Sequence, residues 1–266
     1  MSVHLIPGRA PLVVSMPHIG TRMPPALTTA LVPRARDVED TDWHLERLYD
    51  FLDEMGATVV RATVSRYIID LNRPPDDAPM YPGAANTELC PTRFFTGEPL
   101  YRDGQSLTPE QREERRTRYW QPYHNALGRE LERLRKQHGF VVLWDAHSIR
   151  SEIPWLFEGT LPDLNIGTAG GTSCDPRVEQ AVANACGRHF QYTHAVNGRF
   201  KGGYITRHYG RPTEGIHAIQ LEMAQKLYMR ETLPFDYQEV KARDIQPVLR
   251  DLVTSALNAA KAIHGK

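Results

Sequence analysis

The 266-residue chain has no excess of either charge, since 32 Lys and Arg offset 32 Asp and Glu. That balance argues against nucleic acid as the main partner, because a phosphate backbone selects a basic surface. Cysteine is scarce. Cys90, Cys174 and Cys186 form an odd set with no Cys-x-x-Cys pair. A disulfide framework is not expected, and a reducing, cytoplasmic setting fits. No apolar run approaches the ~20 residues of a membrane span. The first residues show no charged stretch leading into a long apolar one, so no export signal is expected. Internal repeats and low-complexity linkers are missing too. So are the Gly-x-Ser-x-Gly elbow of serine hydrolases, the P-loop and the dinucleotide glycine fingerprint. The arginines at 112, 115, 116 and 118 alternate with Glu110, Glu113 and Glu114. They read as a solvated helix face, not as a phosphate patch.

What is present is an alternation of apolar runs with helical patterns, 41% of residues being apolar. That predicts an α/β protein, with residues 1–266 forming one domain. Strands are expected at Leu12–Met16, Ala57–Thr63, Tyr67–Leu71, Phe140–Asp145, Tyr204–His208 and Ile216–Met223. Helical spacing runs from Val38 to Glu54, closed by Gly56. Thr108 before Pro109 starts another helix, which Gly139 ends. Asp175-Pro176 opens a third, to about His189, and Asp244–Ile263 is the last. Residues 74–107, rich in Pro, Gly, Asp and Asn, predict a long loop that forms part of a pocket.

Several apolar runs stop at chemistry, and a parallel sheet binds ligands at the carboxyl ends of its strands. Ser15-Met16-Pro17-His18 ends one strand in a histidine, either a metal ligand or a structural imidazole. Trp144-Asp145-Ala146-His147 ends another, with Asp145 and His147 on one side of an extended chain. Asp145 there suits the orientation of a ligating imidazole. Asp40, Asp42 and His44 lie together, and the pattern does not separate them. Glu222 interrupts the run Ile216–Met223, where an unpartnered carboxylate is costly. It needs an ion-pair partner or a proton to carry. Asn72 and Arg73 directly follow the predicted strand that contains Asp70, and a guanidinium there can grip a carboxylate, with Asp70 fixing it. Arg199, Lys201, Arg207 and His208 surround the glycines of a basic segment suited to an anion.

The segments SMPHIG, DTDWHLERLYDF, SRYIIDLNRP, WDAHSIRS, NGRFKGGYITRHYG and QLEM together resemble the N-formylglutamate amidohydrolases, in order from about Leu12 to Tyr228. The resemblance implies a three-layer domain like that of zinc carboxypeptidases, with a mixed, mostly parallel sheet flanked by helices. It implies hydrolysis of N-formyl-L-glutamate to formate and L-glutamate in histidine degradation. It also implies one divalent metal, Zn²⁺ first, held by His18, Asp42 and His147, with Glu222 as base. The acidic ligand of the carboxypeptidase pattern, three residues after the first histidine, is replaced here by Thr21, so the acid must come from the segment of Asp40 and Asp42, where the resemblance to the deformylases favours Asp42, the acid directly before Trp43. Two substrate carboxylates call for cationic anchors, and Arg73, Arg150, Arg207 and Arg199 are the candidates beside Asn72. Asp70, Asp145 and His208 are expected in supporting positions. A deacylase of another N-acyl acidic amino acid, a carboxypeptidase-like zinc hydrolase and a non-catalytic binder of acidic metabolites stay open as alternatives. Oligomeric state is unassigned.

Overall fold

The computed structural model describes residues 2–80 and 87–265. Its strands are β1 (Val3–Ile6), β2 (Leu12–Met16), β3 (Thr58–Ala62), β4 (Val141–Ile149), β5 (Leu164–Gly167), β6 (His194–Val196) and β7 (Ile216–Ala224). They form a sheet in the order β1-β3-β2-β4-β7-β5-β6. The central strands β3, β2, β4 and β7 are mutually parallel, while β1 and β5 join antiparallel. The helices are α1 (Pro25–Thr28), α2 (Leu45–Leu48), α3 (Pro109–Arg115), α4 (Gln121–His138), α5 (Pro176–Arg188), α6 (Tyr204–Tyr209) and α7 (Glu239–Ile263). None among the described residues is long and apolar enough to cross a membrane.

Side-chain alternation along the strands builds the layers. Val142, Trp144 and Ala146 of β4 pack with Val178 and Val182 of α5 and with Leu249 and Leu252 of α7. Val141 and Leu143, on the other face, pack with Leu127 and Leu131 of α4 and with Ile205 of α6. Asp145 and His147 share this second face by the same period, as do Gln220 and Glu222 of β7. In the parallel ladder His147 lies directly opposite Glu222.

Five expected elements differ. The Val38–Glu54 pattern yields only α2 and a short 3₁₀ turn at Asp50–Leu52. Here Val38 and His44 have positive φ, and the Asp42 N–H is spent on the His18 carbonyl at 3.1 Å. Tyr67–Leu71 is a chain of turns, not a strand, because Asp70 accepts from the Asn72 N–H at 2.8 Å in an Asx turn. Tyr204–His208 is helical, with the Asn72 side chain accepting from the Ile205 N–H at 2.8 Å in the first turn. The expected Thr108–Gln137 helix carries its capping box at Thr108 but widens into a π turn at Arg116–Trp120. Pro122, which lacks an N–H, follows that turn. Strand β4 runs on to Ile149, so His147 sits inside the ladder instead of after it. Part of the 74–107 loop, residues 81–86, lies outside the described residues.

The far end of α7 is held by a histidine pair. The Asp175 N–H donates to His217 Nδ1 at 3.1 Å, so His217 Nε2 carries the proton and donates to His264 Nε2 at 3.0 Å. Burial, reinforced by His264, pulls the His217 pKa down to about 4. In the unfolded chain a histidine titrates near ~6.5. Between those values the unfolded state binds more protons, so stability is lost as pH falls through that window. Thermal melts between pH 7 and pH 4.5 should show a steeper fall in Tm for the parent than for His217→Asn. Parallel curves would remove His217 from the acid sensitivity.

Candidate active site

His18 leaves β2 through Pro17, His147 is carried by β4, and Asp42 enters from the segment before α2. Their nearest ligand atoms all lie within 4.8 Å of one another, and all three residues are buried. Asp42 Oδ2 is 3.1 Å from His147 Nδ1 and 3.7 Å from His18 Nδ1. The opposite ring nitrogens face other carboxylates. His18 Nε2 lies 2.7 Å from Asp70 Oδ1, and His147 Nε2 lies 3.0 Å from Asp145 Oδ2. In the ion-free protein His147 carries protons on both ring nitrogens, one toward Asp145 and one toward Asp42; a bound cation would displace the inner proton, leaving each Nε2–H to donate outward and each Nδ1 to offer its lone pair. Two imidazole nitrogens and one carboxylate oxygen make a donor set that fits a divalent ion with an open position.

Electrostatics favour a positive charge at the same place. Burial raises the Asp42 pKa, but His147 and His18 outweigh it and hold the carboxyl well below its usual range. Burial lowers the His147 pKa, yet Asp145 and Asp42 drive it well above the ordinary histidine value. Asp70 is likewise kept ionised against burial by His18, Arg66 and Arg73.

Glu222 opens onto the cavity that His18 and His147 line. Burial pushes its pKa up to about 8, against the pull of His147 and with the push of Asp42. Arg73 also lines the cavity, but the Asp70 carboxylate does not hydrogen-bond its guanidinium. Asp70 Oδ2 instead accepts from Arg66 Nη2 at 2.7 Å. Arg73 is oriented by Thr87, whose hydroxyl accepts from Nε at 3.0 Å and from Nη2 at 2.6 Å. The Asn72 amide, 3.2 Å from Asp145 Oδ2, joins β4 to the start of α6 through its Ile205 contact. Arg199 lines the cavity and donates to the Leu156 carbonyl.

Other predicted residues sit elsewhere. Arg150 turns away to bind Asp40 Oδ1 at 2.8 Å and does not line the cavity. Arg207 and Lys201 are exposed outside it, as is His208, which stacks on Tyr204. Asp40 is separated from Asp42 by its partners: Arg150, Tyr67 and the Phe95 N–H occupy both oxygens. His44 Nε2 is engaged at 2.7 Å by the Phe235 carbonyl. The three thiols are buried, which pushes Cys90 and Cys186 up to about 11 and Cys174 to about 12, unsuited to nucleophilic attack.

Sequence reasoning missed Arg66. It is buried in the cavity wall, 3.8 Å from Asp42 Oδ1, with its guanidinium 4.4 Å above the Phe95 ring. The signal was its place four residues before Asp70, which a strand reading of this segment conceals.

A three-layer α/β domain with a buried His–Asp–His cluster and a glutamate at the carboxyl edge of its sheet is an enzyme scaffold with a candidate metal centre. The N-formylglutamate amidohydrolase family model matches residues 10–229. The chain belongs to that family. A protein of Pseudomonas putida named N-formylglutamate deformylase is 52% identical over 250 residues, covering 94% of this chain and 93% of its own. One of the same name from Pseudomonas aeruginosa is 50% identical over 250 residues, covering 94% of each. The crystal structure of N-formylglutamate amidohydrolase from Ralstonia eutropha JMP134 superposes with a TM-score of 0.79. Its identity is 29%, over 99% of this chain and 98% of that one.

Proposed function

We propose that this chain hydrolyses N-formyl-L-glutamate to formate and L-glutamate, with one Zn²⁺ as cofactor, as a step of histidine degradation in the cytoplasm. The observation that carries the reading is one cavity in which Glu222 meets His18, His147 and three guanidinium groups, those of Arg66, Arg73 and Arg199. Full-length similarity to two deformylases supports the substrate.

His18, Asp42 and His147 hold the ion, and Asp70 and Asp145 fix the imidazole tautomers. When bound, the ion acidifies water toward a pKa of ~7 and polarises the formyl carbonyl. Glu222 takes the proton from the attacking water and returns it to the amide nitrogen as the C–N bond breaks. Arg66 faces the carbonyl oxygen as it gains charge, and its fixed position beside Asp70 needs no rearrangement. Arg73 and Arg199 bind the two carboxylates of the glutamyl part, each with a planar fork. Arg150 and Arg207, placed outside the cavity, are not used.

The test is formate release from N-formyl-L-glutamate, with metal content measured alongside. Expected are turnover that a chelator abolishes and Zn²⁺ restores, and slower or no hydrolysis of the N-acetyl and N-succinyl analogues. Activity that survives complete chelation would overturn the metal reading, and preference for another acyl group would overturn the substrate.

A further inference from the structure

We propose that Phe95 and Ile149 set the size limit on the acyl group, admitting formyl and turning acetyl away; this rests on the deformylase reading above. The apolar part of the cavity lining comes from one small cluster, in which Phe95 and Ile149 are buried together and Leu156 and Phe200 pack against them. This wall has two distinguishable ends. Leu156 and Phe200 accompany Arg199, which donates to the Leu156 carbonyl and lies 5.5 Å from the Phe200 ring. Phe95 and Ile149 accompany the reacting groups. Ile149 follows His147 by two residues on β4 and so projects from the same face. Phe95 lies under Arg66, 4.4 Å from its guanidinium.

An acyl carbon open to attack has three substituents. Its oxygen needs positive charge, which the ion and Arg66 supply. Its nitrogen leads to the glutamyl part and therefore toward the carboxylate anchors. The third substituent is hydrogen in a formyl group and a methyl in an acetyl group. It has no hydrogen bond to make, and the apolar surface beside the reacting groups is that of Phe95 and Ile149.

Neither residue has room to yield. Ile149 is 5% exposed and sits in the ladder opposite Ala224. Phe95 is 8% exposed, and its N–H donates to Asp40 Oδ2 at 2.9 Å. Densely packed walls resist an added methyl group. The wall thus rejects by shape, while the arginines select by charge.

The experiment measures kcat/KM for N-formyl- and N-acetyl-L-glutamate in the zinc-loaded parent, Ile149→Val, Ile149→Ala and Phe95→Leu, with the metal content of each. The acetyl-to-formyl ratio should rise stepwise from Ile to Val to Ala. The alanine variant should gain about tenfold or more, since one methylene in a pocket is worth roughly 10–200-fold. Phe95→Leu should move the ratio in the same direction. A ratio fixed at the parent value in all three metal-containing variants overturns the assignment. So does a rise in KM for the formyl substrate with no acetyl gain, which would put this wall against the glutamyl methylenes. A parent that releases no formate is a separate failure, that of the underlying reading.

Discussion

Glu222→Gln should keep its metal and lose about 10²–10⁴-fold in turnover, the usual worth of a positioned proton acceptor. Glutamine has the same shape, so the cavity and the ion ligands are undisturbed, but it cannot accept a proton from water. The pH profile gives a second readout. Burial holds Glu222 up at about 8 in the ion-free protein. A bound cation stabilises the carboxylate and moves that value down. The active form is the ionised one, so the rate should climb with pH through an acidic limb, and that limb should be missing from whatever rate Glu222→Gln retains. Steady-state formate release between pH 5 and pH 9, with metal analysis of both proteins, decides the matter. Parent-like turnover in the variant would end the proton-acceptor assignment.

Alanine at His147 should empty the site. Its imidazole lies 3.1 Å from Asp42 and is oriented by Asp145, so its loss removes a ligand and leaves two buried carboxylates facing each other. Purified His147→Ala should contain no bound metal after gel filtration and release no formate, and His18→Ala should behave the same way. Asp70→Asn tests orientation separately from ligation. It keeps the ligands but weakens the hold on His18, and loss of such an outer partner typically costs 10–100-fold in metal affinity. The ion-free parent also holds a proton on His147 near neutrality. Loading Zn²⁺ should therefore release protons, measurable by calorimetry in buffers of different ionisation enthalpy. Full metal content in His147→Ala would refute the proposed ligand set.

The strands that deliver His18 and His147 were legible because each begins as an apolar run that leads into a polar residue, and the strand of Glu222 because a lone carboxylate interrupts its apolar pattern. Thr108-Pro109 and Asp175-Pro176 announced helices through local capping chemistry that needs no tertiary context. The errors cluster where the site overrides local preference. Helical spacing from Val38 to Glu54 could not foresee that Asp42 would be held between His18 and His147. The β-rich composition of Tyr67–Leu71 could not foresee the Asx turn at Asp70, nor could Tyr204–His208 reveal the hydrogen bond that the Ile205 N–H donates to Asn72 in the first turn of α6. Arginines were the least readable. Arg150, Arg207 and Arg66 look alike in one dimension, and only partners distant in sequence decide which of them reaches the cavity.

His147 and Glu222 share one rung of the ladder, fixed by the backbone spacing of β4 and β7. Insertions or exchanges in the surrounding loops leave that spacing untouched. Phe95 and Arg199, by contrast, are carried on connections between strands and helices. The glutamyl end of the cavity can therefore change with its loops, whereas the acyl limit is tied through Ile149 to the same strand that carries His147.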